Sequence, residues 1–181
     1  MTPIEYNQLR AFARIDGIRL ALIWTASFAC YIASLSSPAL GVAAMLIALA
    51  TPFVMSRSAV RYAVTACGGQ LSMGRAYFYC MMQFFYAAVL FAFVQWLYFA
   101  YLDHGTMLNA LNQMASSPEG RQAIEMYGLG EQLSQALQQI QAMRPIDIAL
   151  NILTSNLLMG LVVSAVSAFT VRLGSRAQRQ Q

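Results

Sequence analysis

Residues 76–102 read AYFYCMMQFFYAAVLFAFVQWLYFAYL, a run of 27 positions with no charged side chain. As an α-helix rising roughly 1.5 Å per residue, the run is about 40 Å long. A hydrocarbon core of roughly 30 Å needs about 20 apolar residues to be crossed. The stretch is therefore long enough to span a bilayer and to tilt or protrude from it.

Three other runs meet the same test. Residues 18–36 hold Arg19 at their very start and no charge after it, and residues 38–56 are uncharged. Residues 146–171 carry Asp147 in the first turn, where a carboxylate suits the positive end of a helix dipole. The whole chain of 181 residues is 59% hydrophobic and 10% charged, against roughly 25% charge in soluble domains. No single soluble core of this size can hide so much apolar surface. The sequence predicts an all-α, polytopic membrane protein, one membrane domain over 1–181 with four transmembrane helices and a helical extracytoplasmic insert at 103–145. The first run is not read as a signal peptide: the segment before it is long and contains Glu5 and Asp16, and the run exceeds a typical signal core.

All eleven basic residues are arginines and the net charge is +4. They sit at the edges of apolar runs rather than on a soluble basic face, which points to anionic lipid head groups at the cytoplasmic face and away from nucleic acid. Arg10, Arg14 and Arg19 precede the first span; Arg57, Arg61 and Arg75 lie between the second and third; Arg172, Arg176 and Arg179 follow the fourth. Only Arg121 and Arg144 fall in the insert, beside Asp103, Glu119, Glu125 and Glu131. Arginine asymmetry of this kind sets topology. It predicts a multi-pass protein of a bacterial inner (cytoplasmic) membrane with both termini in the cytoplasm. Trp96, Tyr98, Phe99 and Tyr101 at one end of the third span, with Tyr77 and Tyr79 at the other, suit the two head-group layers.

Small residues mark contact faces where helices pack in lipid. Asn156, Gly160, Ser164 and Ala168 follow one another at i, i+4 in the fourth span, with Asn151 and Ser155 nearby; Gly160, Ser164 and Ala168 are the predicted packing face. Gln83 and Gln95 lie inside the third span, and an amide unpaired in hydrocarbon is costly, so both are expected to point into the bundle. No Asp, Glu or Arg falls in the middle of a predicted span, which argues against an ion-coupled transporter.

The insert reads as three short helices: one around Met107, Leu108, Leu111 and Met114; one capped by Ser117 before Pro118; and one from about Glu131 to Met143 with Leu133, Leu137 and Ile140 on one stripe. The N-terminal segment around Leu9, Phe12 and Ile15, and the segment from Ser56 to Gly74, read as short interfacial helices. Cys30, Cys67 and Cys80 show no metal or disulfide spacing.

Chemistry has one focus. His104, the only histidine, follows Asp103 at the end of the third span, and Arg144 and Asp147 stand at the start of the fourth. If those helices are neighbours, the four side chains can meet and provide a metal or acid–base site. One histidine with two carboxylates is a poor ligand set, and a structural cluster of salt bridge and caps is the plainer reading. No metal or cofactor is predicted. No dinucleotide, phosphate-loop, zinc-protease or serine-hydrolase motif occurs.

Several pieces taken together resemble a known family. They are Met1-Thr2-Pro3-Ile4-Glu5-Tyr6, Leu9-Arg10-Ala11-Phe12-Ala13-Arg14-Ile15-Asp16-Gly17, Thr51-Pro52-Phe53, Tyr98-Phe99-Ala100-Tyr101-Leu102-Asp103-His104-Gly105, Tyr127-Gly128 and Arg144-Pro145-Ile146-Asp147-Ile148-Ala149-Leu150-Asn151. In order and over nearly the whole chain they are similar to the bacterial membrane family catalogued as domain of unknown function 4199. The resemblance implies a small four-helix membrane protein and brings no assigned reaction. The sequence therefore favours a non-enzymatic accessory protein that binds a lipid, a membrane partner or a second copy of itself. A small channel or transporter component using Gln83, Gln95, Asn151 and Asn156, and an enzyme or metal site at the outer edge, are the alternatives.

Overall fold

The structure, a computed structural model, describes the backbone of residues 1–177 and the side chains of residues 1–171. The side chains of Arg172 and Arg176, and the whole of Arg179, lie outside the described residues. The described chain is all helix: α1 (Pro3–Ser34), α2 (Ala39–Leu49), α3 (Thr51–Ala66), α4 (Met73–Tyr101), α5 (Thr106–Ser116), α6 (Pro118–Tyr127), α7 (Gly130–Ala142) and α8 (Pro145–Ala177). Among the described residues four stretches are long and apolar enough to cross a membrane: Pro3–Ser34, Ala39–Ala66, Met73–Tyr101 and Pro145–Val171. Only 17–33% of each hydrophobic window is buried by the rest of the protein. Leu22, Leu46, Phe53, Phe93, Leu158 and Val162 are all more than half exposed, an outward apolar surface that water does not tolerate on this scale.

Two boundaries differ from the sequence reading. The N-terminal segment is not a separate interfacial helix but the first half of α1. Thr2 and Glu5 close a capping box, Pro3 occupies the first turn, and nothing from there to Ser34 breaks the helix. The second span runs on from the expected 56 to Ala66, interrupted at Ala50 where Pro52 opens α3. Arg57 and Arg61 are thus on the continuation of the second span, not on a separate interfacial helix.

Contacts divide the chain into two compact units, one of Met1–Ala92 with the residues from Leu153 on, the other of Phe93–Ile152. In the first unit α1 presents Leu9, Ala13, Asp16, Gly17, Leu20, Ala21 and Trp24 as one buried stripe. Trp24 meets the rings of Phe84 and Phe91 edge-on at 4.8 and 5.7 Å. Tyr62 of α3 stacks on Tyr79 of α4 with ring centroids 4.7 Å apart. Gly17 lies directly on α4: a Cβ there would come within 2.7 Å of the Tyr86 Cβ and 2.9 Å of the Gln83 carbonyl oxygen. Gly160 of α8 likewise lies on the ring of Phe84.

In the second unit the three helices expected between 103 and 145 are present as α5, α6 and α7, and none of them contains a buried residue. Ser117 caps α6 through the Gly120 amide, as its sequence signal predicts.

Candidate functional site

The first unit holds a groove of about 800 Å³ between α1, α2, α4 and α8, with the start of α3 at one end. Its walls are apolar: Trp24 and Phe28 of α1, Ala48 of α2, Phe84 and Phe91 of α4, Met159 and Val163 of α8. A few polar groups punctuate it. Ser27 donates to the Ala44 carbonyl at 2.8 Å, tying α1 to α2. The Trp24 indole donates to Thr51 Oγ1 at 3.0 Å, and Thr51 in turn donates to the Ala48 carbonyl at 2.7 Å. Asn156 is half-buried and lines the same groove. On α1 the lining runs from Trp24 to Ser34, about 15 Å of helix.

Two helical turns towards the N-terminus from Trp24, the character of the core changes. Asp16 is 1% exposed, yet it is a carboxylate on an otherwise apolar stripe. Arg19 Nη1 reaches its Oδ1 at 3.1 Å, Arg61 of α3 bonds the same oxygen, and the Tyr79 hydroxyl of α4 donates to Oδ2. Gln83 Nε2 donates to Ser58 Oγ at 3.3 Å and lies 3.5 Å from the Asp16 carbonyl oxygen, while its Oε1 has no partner among the described residues. One buried anion therefore holds α1, α3 and α4 together. On the outside of this layer Arg10 donates to the Tyr86 hydroxyl at 3.2 Å and Arg75 pairs with Glu5 at 2.9 Å.

Asp16 is the functional candidate that sequence reasoning passed over: it precedes the first predicted span by two residues, yet it is buried on the α1 stripe. The signal was present: Leu9, Ala13, Leu20 and Trp24 are spaced at helical intervals and Asp16 falls on their face. The apolar run begins only at 18, which leaves Asp16 outside it.

The four residues that could meet if the third and fourth spans were neighbours all lie in the second unit, where they form two local arrangements. Asp103, 8% exposed, accepts from the Tyr98 hydroxyl at 3.2 Å and from the amides of Gly105 and Met107 at 3.2 and 3.0 Å. It closes the reversal between α4 and α5, in which His104 and Gly105 both have positive φ, 43° and 82°. His104 itself is exposed. Arg144 makes a two-pronged pair with Asp147, Nε to Oδ2 at 2.8 Å and Nη2 to Oδ1 at 3.0 Å, and its amide also donates to Oδ2. Those hydrogen bonds first, and the attraction of the carboxylate second, raise the Arg144 pKa above the ordinary guanidinium value. No hydrogen bond or ion pair among the described residues joins Asp103 or His104 to Arg144 or Asp147, and no three described His, Cys, Asp or Glu residues are grouped to hold a metal ion.

Of the intramembrane polar candidates, Gln95 is buried with Oε1 unpartnered, and Asn151 is exposed and lines a cleft of about 520 Å³ with Asp103, Met107, Leu111 and Ile140. Gly160, Ser164 and Ala168 are buried, and Ser164 Oγ has no partner among the described residues.

The chain belongs to the family described as "Protein of unknown function (DUF4199)", which matches it over residues 16–172. No curated protein and no solved structure matches the chain.

Proposed function

We propose that this member of a family of unknown function is a non-catalytic, multi-pass inner-membrane protein that binds a membrane lipid through one acyl chain seated in the groove between α1, α2, α4 and α8. The observation that carries the reading is the groove itself. Its volume, about 800 Å³, falls in the range of small-molecule sites, which are mostly apolar with a few placed polar groups. Its run along α1, about 15 Å, is half of a hydrocarbon core of roughly 30 Å. It begins near the uncharged turn between α1 and α2 and ends at the Trp24–Thr51 bond, so it occupies the leaflet on the side of that turn. With both termini and the arginine-bearing ends of the helices in the cytoplasm, the orientation that the arginine distribution supports, that leaflet is the outer one. An accessory role beside a membrane-protein partner or a second copy of the chain is compatible with this occupant, because the rim of exposed apolar residues remains available.

The test uses a phosphatidylcholine with a photoactivatable diazirine in its acyl chain, incorporated with the purified protein in nanodiscs. Adducts are expected on Trp24, Phe28 and the groove side of α2, and Ala48→Phe, which fills the groove, is expected to reduce them at least fivefold. Adducts spread evenly over Leu22, Leu158 and Val162, unchanged by Ala48→Phe, would show ordinary annular lipid and overturn the reading.

A further inference from the structure

We infer that Arg19 and Arg61, organised by Asp16 and assisted by Arg57, form a clamp for the phosphate of an anionic lipid in the leaflet opposite the groove. The inference does not depend on the groove. It rests on a charge imbalance fixed by geometry. Arg19 and Arg61 both bond Oδ1 of Asp16, so two guanidinium groups from different helices are held at one point. The second carboxylate oxygen is taken by Tyr79. One negative charge thus faces two positive ones.

The two arginines are not consumed by that contact. Their side chains are 55% and 46% exposed, and a guanidinium has five N–H donors, of which each has spent one on Asp16. A phosphate is the group whose oxygens match such a pair of planar forks. Arg57 stands one helical turn before Arg61 on the same side of α3, exposed and with no acidic partner among the described residues. Helix pairing brings it level with Arg19: Trp24 meets Thr51 and Asp16 meets Arg61, so the antiparallel register puts position 57 opposite positions 18–20. A third positive charge therefore stands beside the pair.

Height selects a lipid over a soluble phosphate as the occupant. From Asp16 to the end of α1 at Ser34 is about 27 Å of helix, and from Ala39 to Arg61 about 33 Å. With the α1–α2 turn at one face of a hydrocarbon core of roughly 30 Å, the clamp stands at the head-group layer of the other. Asp16 is a positioning residue in this arrangement: it makes no contact with the phosphate but sets where the two forks stand.

Native mass spectrometry of the full chain, released from detergent with equal phosphatidylglycerol and phosphatidylcholine, reads the preference directly. The expected result is retention of phosphatidylglycerol over phosphatidylcholine by at least fivefold. Arg57→Gln and Arg19→Gln should each lower that ratio by about fivefold, the effect of one basic residue at an anionic surface. Arg14→Gln, a change on the other side of α1, should leave it within twofold. The Arg57 side chain makes no hydrogen bond or ion pair among the described residues, so the Arg57→Gln result stands whatever happens to the Arg19 variant. An unchanged ratio in Arg57→Gln and Arg19→Gln, or an equal loss in Arg14→Gln, would overturn the clamp. Displacement of phosphatidylglycerol by 10 mM inorganic phosphate, with no preference left between the two lipids, would show a free-phosphate site and overturn the lipid assignment.

Discussion

The Tyr79 hydroxyl donates to Oδ2 of Asp16 across a separation of 63 positions, and both side chains are sealed within the first compact unit. That bond fixes the phenol of α4 against α1 while Arg61 approaches the same carboxylate from α3. Three helices consequently depend on one ionised side chain. Breaking one partner of a buried charge pair costs more than the pair itself contributes, because the survivors remain desolvated.

Asp16→Asn is therefore expected to lower stability by about 2–3 kcal/mol, below the roughly 3–5 kcal/mol of a fully buried pair because both guanidinium groups are half-exposed. Thermal unfolding of the purified protein in detergent should show it. Tyr79→Phe, which removes one donor and leaves both arginines, should cost about 1–2 kcal/mol. Equal melting temperatures for wild type and Asp16→Asn would mean that the carboxylate does not hold these helices.

The two glycines at helix contacts predict a graded response. Gly17→Ala forces a Cβ to 2.7 Å from the Tyr86 Cβ and 2.9 Å from a backbone oxygen of α4, and backbone cannot swing aside. A loss of about 1–3 kcal/mol is expected. Gly41→Ala meets the Ser34 Cβ at 3.5 Å, ordinary contact, and should fall within about 0.5 kcal/mol of wild type. The same unfolding measurement compares the two directly, and a reversed order would contradict the packing described.

Trp24 and Trp96 are the two tryptophans. In a Trp96→Phe background the emission reports Trp24 alone, at the floor of the groove. Phosphatidylcholine brominated along its acyl chain is expected to quench it strongly, and Ala48→Phe to relieve most of that quenching. Thr51→Val, which removes the acceptor of the indole N–H, should cost about 1–2 kcal/mol.

Asp103 closes the start of α5 through the amides of Gly105 and Met107. Asp103→Ala should destabilise that turn by about 0.5–2 kcal/mol, the range of a lost helix cap. Hydrogen exchange at 105–110 should quicken accordingly, with exchange in α1 unchanged. Asp103→Asn retains an acceptor and should lose less.

Topology is open to a direct check. A fluorescent protein fused after residue 181 should fold and fluoresce in the cytoplasm, while a single cysteine placed at Gly128 should react with an impermeant maleimide added outside. Labelling of that cysteine only after the cells are opened would reverse the orientation.

The sequence alone determined the number of the long apolar helices and the bounds of the third and fourth to within a few residues, the three short helices between Asp103 and Pro145, and the cap at Ser117. Each depends on neighbours in the chain: uncharged run length against a fixed membrane thickness, and capping residues that bond amides three positions away. It also marked Gln83, Gln95 and Gly160 as inward-facing positions; all three are buried, with Oε1 of each glutamine unpartnered among the described residues. The tertiary structure alone decided that Asp16 meets Arg61 and Tyr79 rather than water, that Asp103 and Asp147 serve separate local turns, and that a groove opens beside Trp24. Those facts depend on how helices distant in sequence register side by side. The charge of Asp16 made it read as the residue before a span, whereas its place on the α1 stripe makes it the residue on which three helices close.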